Sequence, residues 1–524
     1  RAPATPVERT LQQLWAKVLN IPAHTIGMDD SFFRLGGDSI AAMRLAGVAR
    51  QDGFLLTVSD VFNHPSLSEL ACTMRRVSSN PVIAATPESF SLLDVADPVA
   101  FIHAHVTLPY AWPSGEIVDA FPTTQLQTDF ILSQQCTYFL LDIPGVVDLD
   151  RLQDAVRALS RWHPIMRSIF FTSPGGVIQG IVRSAPLEIP RHTCSTDILQ
   201  FSRNLCREDS KTPLSFGVLP FRVSLVSADR HHVLILRLSH AQYDGLCLPV
   251  LYRDLAAAYR GDAIAQPPTF SCYMQYRLSR KSTEAFQFWR GFLRGATMTR
   301  LDYRALGGVD RTSSTEPTNA VTVAKNIPLP SLPPGITMAT VVKAAWSFVL
   351  AQLTRQTDIV FGQTVNGRSV PIPDVESILG PCINAVPVRV TFQPAWTVLD
   401  LLQHTQDQYT RVLPFETSDL RDIIKQSTDW SEATRFEIMV QHDNISMNAP
   451  FTLAGIECNP SAVAFQDPTF FAVHSESAGD HLALQIAAPN TMVSSVTASK
   501  ILDDLCQTIV SFTHDSSQVL LLRH

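Results

Sequence analysis

Apolar residues recur at helical spacing at the start of the chain. Val7, Leu11, Leu14, Trp15, Val18 and Leu19 fall on one face, which predicts a helix over 7–19. A loop over 21–37 follows, then a helix from Ser39 carrying Ile40, Met43, Leu45, Ala46 and Ala49. A short helix broken at Pro65 and a last one from Ser66 or Ser68 to Arg75 complete a small four-helix bundle. Residues 78–115 then shift towards Ser, Pro and Ala without a sustained period, as a linker does. Beyond Ile117 the pattern is mixed. Asp150–Trp162 and Met338–Leu353 read as helices, and Val233–Leu238, Asp358–Gly362 and Arg435–Gln441 as strands. Interleaved helices and strands predict an α/β unit of two lobes, with the Pro-, Thr- and Ser-rich stretch Arg300–Pro334 as a hinge. The expected division is 1–78 for the bundle, 79–116 for the linker, 117–299 for the first lobe and 300–524 for the second.

Composition narrows the functional classes. The 524 residues exceed one ordinary domain, and 45% hydrophobic against 17% charged residues is enough to fill several cores. A net charge of −7, with no basic cluster beyond Arg75-Arg76, argues against a nucleic-acid partner. No apolar run approaches the roughly 18 residues of a membrane span. The nine cysteines are scattered and never in a C-x-x-C pair. They read as reduced thiols of a cytoplasmic protein, with no metal site and no disulfide frame. The chain opens on Arg1 without an initiator Met or signal peptide, which reads as a piece of something longer.

Two motifs carry chemistry. Gly36-Gly37-Asp38-Ser39 stands at a helix start, where glycines permit a tight turn that exposes a serine hydroxyl. A phosphodiester attached there would meet unpaired backbone N–H groups and the positive end of the helix dipole. A glycine loop followed by an ordinary Asp or Ser N-cap is the plainer alternative. Its setting, FFRLGGDSI inside a four-helix unit, favours attachment. Residues 1–80 resemble the thiolation (peptidyl carrier) domains of nonribosomal peptide synthetases, through DSFFRLGGDSIAAMRL at Asp30–Leu45 and NHPSLSELA at Asn63–Ala71. The resemblance implies 4'-phosphopantetheine on Ser39, a phosphopantetheinyl transferase as partner, and upstream synthetase modules.

The second motif is SHAQYDG at Ser239–Gly245, directly after the apolar run Val233–Leu238. A histidine at a strand end can project into a cavity, and imidazole suits proton removal from an attacking amine. Asp244 is poorly placed as a second base and is expected to pair with an arginine and fix the loop. Gly245 permits close backbone approach, and its N–H is a candidate donor to an oxyanion. A lone histidine near an aspartate is more often a hydrogen-bonded core residue, the reading given to His231 and His232 unless they lie at the surface. Other motifs set His240 apart.

Residues 117–524 resemble a synthetase condensation domain, a two-lobed chloramphenicol-acetyltransferase-like fold. The matches run in family order: FPTTQLQTDFIL (Phe121–Leu132), RWHPIMRSIF (Arg161–Phe170), SHAQYDG, YRDLAAAY (Tyr252–Tyr259), LGPCINAVPVRV (Leu379–Val390) and LPFE (Leu413–Glu416). LGPCINAVPVRV corresponds to the family's channel-floor loop. The resemblance implies that His240 is the base and that Asp244 pairs with Arg389, with Arg167 second. Ser239 stands where the family usually has a first histidine. A serine there resembles the terminal condensation-like domains of fungal synthetases, which release the peptide by cyclisation, and the absence of an adenylation segment after the last strand fits that place. The expected reaction is attack of the peptide's own amine on the thioester, giving a macrolactam or a fused fumiquinazoline-type heterocycle. The carrier is expected to dock on the condensation domain in cis and to present a peptidyl thioester. An elongating condensation domain and an epimerisation domain share the histidine motif and remain alternatives. Intact His240, Asp244 and Gly245 argue against a non-enzymatic platform, and the fused carrier makes soluble CoA unnecessary.

Overall fold

Each helix of the bundle begins with a side chain that caps it. In the computed structural model, which describes residues 1–76, 86–264, 266–309, 320–444 and 448–522, Thr5 and Glu8 form a capping box at α1 (Pro6–Leu19). Asp38 caps α2 (Ser39–Gln51), Thr57 with Asp60 caps α3 (Val58–Asn63), and Ser66 caps α4 (Leu67–Thr73). Leu11, Trp15, Phe32, Leu45 and Leu70 close the core between them. The pairing of β1 (Phe54–Leu55) with β2 (Arg75–Arg76) ties the end of the bundle back to its middle.

Residues 79–85 of the expected linker lie outside the described residues. The rest is not a free tether. Short turns α5 (Pro98–Ile102) and α6 (Leu108–Tyr110), joined by the π-turn His103–Thr107, put Ile102 and Val106 into a small core with Ile117, Ile169 and Phe171. Trp112 Nε1 donates to Gly217 O at 2.7 Å and clamps the segment to the first lobe.

The first lobe runs β3 (Ile117–Pro122), α7 (Gln125–Leu132), β4 (Cys136–Ile143), α8 (Leu149–Trp162), β5 (Ser168–Ser173), β6 (Gly176–Val182), β7 (Arg191–Thr193), α9 (Ile198–Asp209), β8 (Arg222–Ala228), β9 (His231–Ser239), α10 (Cys247–Arg260), α11 (Phe270–Ser279) and α12 (Thr283–Phe292). The chain then enters the second lobe with β10 (Ala320–Pro328), α13 (Met338–Thr354), β11 (Asp358–Val365), β12 (Asn384–Thr391), α14 (Val398–Val412), α15 (Leu420–Ser427) and β13 (Ile438–Asp443). Residues 310–319 of the expected hinge lie outside the described residues. Next, β14 (Phe451–Leu453) and β15 (Ile456–Ala464) return to the first lobe, before β16 (Phe471–Ala478), β17 (His481–Pro489) and α16 (Ser495–His514) complete the second.

Each lobe is built on a six-stranded sheet, ordered β14-β15-β4-β9-β8-β7 and β10-β17-β16-β13-β11-β12, and β3-β6-β5 form a separate three-stranded sheet. The second lobe expected over 300–524 is therefore interrupted, because β15 pairs antiparallel with β4. One core lies under α8 and α10, with Leu152, Leu159, Leu236 and Leu251; the other lies between α13, α16 and the second sheet, with Trp346, Phe361, Leu484 and Leu505. In the second sheet β11, β13 and β16 run parallel, so their carboxyl ends open on one side.

The bundle sits on the second lobe. Leu413, just past α14, is buried in the bundle's core, and the Tyr409 ring meets Phe62 edge-on with centroids 5.5 Å apart. Gln51 Nε2 donates to Asp374 Oδ1 at 2.5 Å, and Arg50 reaches Ile372 O at 3.4 Å. Glu376 lies under Gly47, where a Cβ would fall 3.6 Å from its carboxylate, and feels the charges of Arg44 and Arg50.

Candidate active site

Ser39 is the first residue of α2, and capping falls to Asp38, whose carboxylate accepts from Ala41 N at 2.7 Å. The serine hydroxyl is therefore not needed to hold the helix end. Gly36 has φ +95, and a Cβ on Gly37 would fall 2.4 Å from the Phe32 ring. Both glycines are required by backbone and packing, and they leave the half-buried Ser39 beside the N–H groups of the first helical turn. A phosphodiester fits there: a free hydroxyl, unpaired donors and the positive dipole end converge.

The strand β9 delivers His240 to the other half of the site. Its N–H donates to Gln135 O at 3.1 Å, and its ring lies between Phe130 and Tyr243, with centroids 4.9 and 4.5 Å away. Burial pushes the imidazole down to about 4, against the opposing Asp244 charge and a Tyr243 main-chain hydrogen bond. The ring is neutral at pH 7. The Tyr243 phenol, held well above its usual range by burial, stays protonated, and its oxygen lies 3.2 Å from His240 Nε2. A neutral imidazole carries one unprotonated nitrogen, the state a general base needs.

Asp244 points away from His240 into the second lobe. Oδ2 accepts from Arg368 Nη1 at 2.6 Å and from the N–H groups of Cys382 at 2.9 Å and Ile383 at 3.3 Å. Both members of the ion pair are fully buried. The second Arg368 nitrogen donates to Ile378 O and Gly380 O, so the floor-loop segment is stitched to the histidine loop. Gly245 follows, half-buried, with its carbonyl accepting Leu248 N–H at 3.3 Å as α10 begins.

The expected partners of Asp244 are corrected by this geometry. Arg389 lies near the outer end of β12 and grips Asp358 in a fork, at 2.9 and 2.8 Å, while Nη1 binds Phe292 O and Arg294 O. Arg167 binds the carbonyls of Ser160, Val182 and Arg183. Neither meets Asp244. Arg368, Tyr243 and Phe130 are the site residues that sequence reasoning missed. Asn366-Gly367-Arg368 directly after β11 was the available signal, because Gly367 has φ +65 and a Cβ there would fall 1.9 Å from Cys382 O. His231 binds Asp142, and His232 binds Ser227 Oγ at 2.9 Å, as structural histidines do.

Two measurements follow from this electrostatic arrangement. Arg368→Met leaves Asp244 buried with main-chain donors alone and is expected to cost about 3–5 kcal/mol in denaturant unfolding. Adding Asp244→Asn should recover part of that loss. Arg389→Met should cost less, since water reaches Asp358; equal losses for the two arginines would reverse the assignment. The second concerns pH. His240 binds fewer protons folded than unfolded between about 4 and its ordinary value of 6.5, so its contribution to stability is present above 6.5 and lost as pH falls through about 4. Glu416, pushed up to about 7 by burial, acts with the opposite sign. Comparison of melting temperature against pH for the parent and His240→Phe isolates the histidine, and the variant should show the shallower fall. Identical slopes would mean that the ring is not buried neutral.

Family and structure comparisons agree with this two-part architecture. A model for the Condensation domain matches residues 133–520, and one for the Phosphopantetheine attachment site matches residues 9–72. The chain is 38% identical to nonribosomal peptide synthetase fmqA of Aspergillus fumigatus over 98% of its length, and 34% identical to malformin synthetase mlfA of Aspergillus sclerotiicarbonarius over 99%. It spans only 13% and 10% of those proteins. Among solved structures, one described as holo T3CT aligns over 82% of this chain and 99% of its own, at 33% identity and TM-score 0.74. A rhizomide synthetase starter condensation domain shares the fold, at 16% identity and TM-score 0.62 over 77% of this chain and 98% of its own. No helix among the described residues is long and apolar enough to cross a membrane.

Proposed function

Because the chain belongs to the condensation-domain family, with a phosphopantetheine attachment domain ahead of it, we propose that it releases a peptide from Ser39 by intramolecular amide formation. Condensation-domain membership carries amide-bond-forming acyl transfer, and the attachment domain carries 4'-phosphopantetheine and its transferase. The group supplies a thioester when its thiol is acylated. His240 accepts a proton from the peptide's own amine as the C–N bond forms and returns it to the departing sulfur as the C–S bond breaks, so that a free thiol stays on the arm of Ser39. Phe130 and Tyr243 hold the imidazole, Asp244 and Arg368 hold its loop, and Gly245 N–H is the oxyanion donor.

Ser239 is the observation that carries cyclising release over elongation. It is fully buried, and its Oγ accepts from Ala241 N at 3.2 Å, inside the turn that aims His240. A serine at this position resembles the terminal condensation-like domains of fungal synthetases. The bundle's seat on α14 supports docking in cis. The test loads Ser39 with a peptidyl-phosphopantetheine and follows intact protein and free product by mass spectrometry, with and without a second aminoacyl carrier. Cyclic product without the second carrier supports the reading. A linear peptide transferred to the second carrier makes the domain an elongating one.

A further inference from the structure

Gln127 precedes Ala241 by 114 residues, yet its side chain holds the main chain of the histidine turn. It is the third residue of α7 and closes the capping box there. Its N–H donates to Thr124 Oγ1, and its Oε1 accepts from Thr124 N–H, both at 3.0 Å. The amide nitrogen has two protons of its own. Nε2 gives one to Ala241 O and the other to Gln179 Oε1, each at 2.8 Å. Gln179 Nε2 then donates to Ser168 Oγ at 2.8 Å. Gln127, Gln179, Ser168 and Ala241 are all fully buried. Main-chain groups fix the Gln127 amide from both ends: the Thr124 N–H can only donate and the Ala241 C=O can only accept.

A capping box needs only an acceptor at this position, and glutamate serves as well as glutamine. The donors of Gln127 therefore serve another purpose. They bind the residue directly after His240, while Phe130, one turn further along α7, lies against the His240 ring. The His240 N–H is held by Gln135 O, just past the same helix. One helix and its exit thus grip the turn at its entry, its ring and its following peptide. α7 is itself braced across the lobe boundary: Gln125 N–H donates to Asp419 Oδ1 at 3.2 Å, and Asp419 pairs with the buried Arg277. Phe170, opposite Gln179 in the three-stranded sheet, shares a small core with Ala241 and Ile131. Hydrogen bonds of this length tolerate little movement of the turn against the helix.

We propose that Gln127 is a positioning residue for the base: its amide locks the histidine turn to α7, so that the His240 ring keeps one orientation between Phe130 and Tyr243. Gln127 touches no reacting atom. Its effect on turnover rests on the reading of His240 as the base; its effect on the ring does not.

The experiment uses the full chain isotope-labelled at the histidine Cε1, and the His240 resonance is the one absent from His240→Phe. Its place between two aromatic rings shifts that resonance away from those of ordinary histidines. Gln127→Glu keeps the capping acceptor and nearly the same shape but presents an oxygen to Ala241 O. Gln127→Met removes the polar contacts altogether. In both, the His240 resonance should move towards the ordinary position and broaden. Leu484→Ala, a cavity in the core of the second lobe, should also lower stability yet leave the resonance in place. Gln179→Met, which keeps the bond to Ala241, serves where the Gln127 variants fold poorly and should give a smaller shift in the same direction. With cargo on Ser39, loading should match the parent and release should slow by roughly ten to a hundred fold. An unmoved His240 resonance overturns the proposal, as does parental release from a variant whose resonance has moved. A moved resonance with no cyclic product from the parent leaves Gln127 its role and removes the cyclisation reading.

Discussion

Ser39→Ala is expected to abolish phosphopantetheine attachment and every later step. Incubation with CoA, magnesium and a broad-specificity transferase should add one arm to the parent and none to the variant, read as intact mass. The loss should come without a stability penalty. Asp38 caps α2, so the serine hydroxyl supports no structural hydrogen bond of the helix end, and the melting curve should move by no more than about 0.5 kcal/mol. Asp38→Ala is the contrasting case. It removes the cap at a cost of about 1 kcal/mol and disturbs the turn while leaving the nucleophile. An unchanged mass gain in Ser39→Ala would place the attachment point elsewhere.

His240→Ala should leave loading at Ser39 intact and slow product release by roughly a hundred to ten thousand fold. Positioning by the lobes still supplies part of the acceleration, so a slow residual reaction is expected. Alanine also removes a ring from between Phe130 and Tyr243, so loss of packing must be separated from loss of the base. His240→Phe does that by keeping an aromatic plate without a basic nitrogen. Both variants should be slow to a similar degree. Near-parental release from His240→Phe would make the ring a spacer. The attacking amine sets the pH profile: an aromatic amine is already neutral at pH 7, whereas an aliphatic one must lose a proton first and should respond more steeply.

Helices and strands were legible because their periods are local. The elements expected at 7–19, 150–162, 338–353 and 358–362 correspond to α1, α8, α13 and β11 within a few residues. The histidine loop and the serine turn were legible for the same reason, since each is a contiguous motif. The ion pair was not, because Asp244 and Arg368 meet only when a glycine turn after β11 folds across the lobe boundary. The error at Arg389 could have been avoided. In β12 the alternation Val386, Val388, Val390 faces the core, which sends Arg389 to the opposite side. The hairpin Phe451–Ala464 was invisible in principle, since nothing in its own sequence names a partner strand in the other lobe.

That hairpin makes biosynthesis order matter. β4 leaves the ribosome early, yet its neighbour β15 follows only after the greater part of the second lobe, Thr137 waiting for Ala464 and Asp142 for Asn459. Through that interval the nascent first lobe carries an open, apolar sheet edge, the kind of surface that invites pairing with another chain. Closing so long a loop is slow compared with local pairing. The two lobes therefore do not mature as independent beads on the nascent chain. The hydrophobic edge of β4 marks where a chaperone would be expected to engage, and a ribosome stalled before β15 would display it.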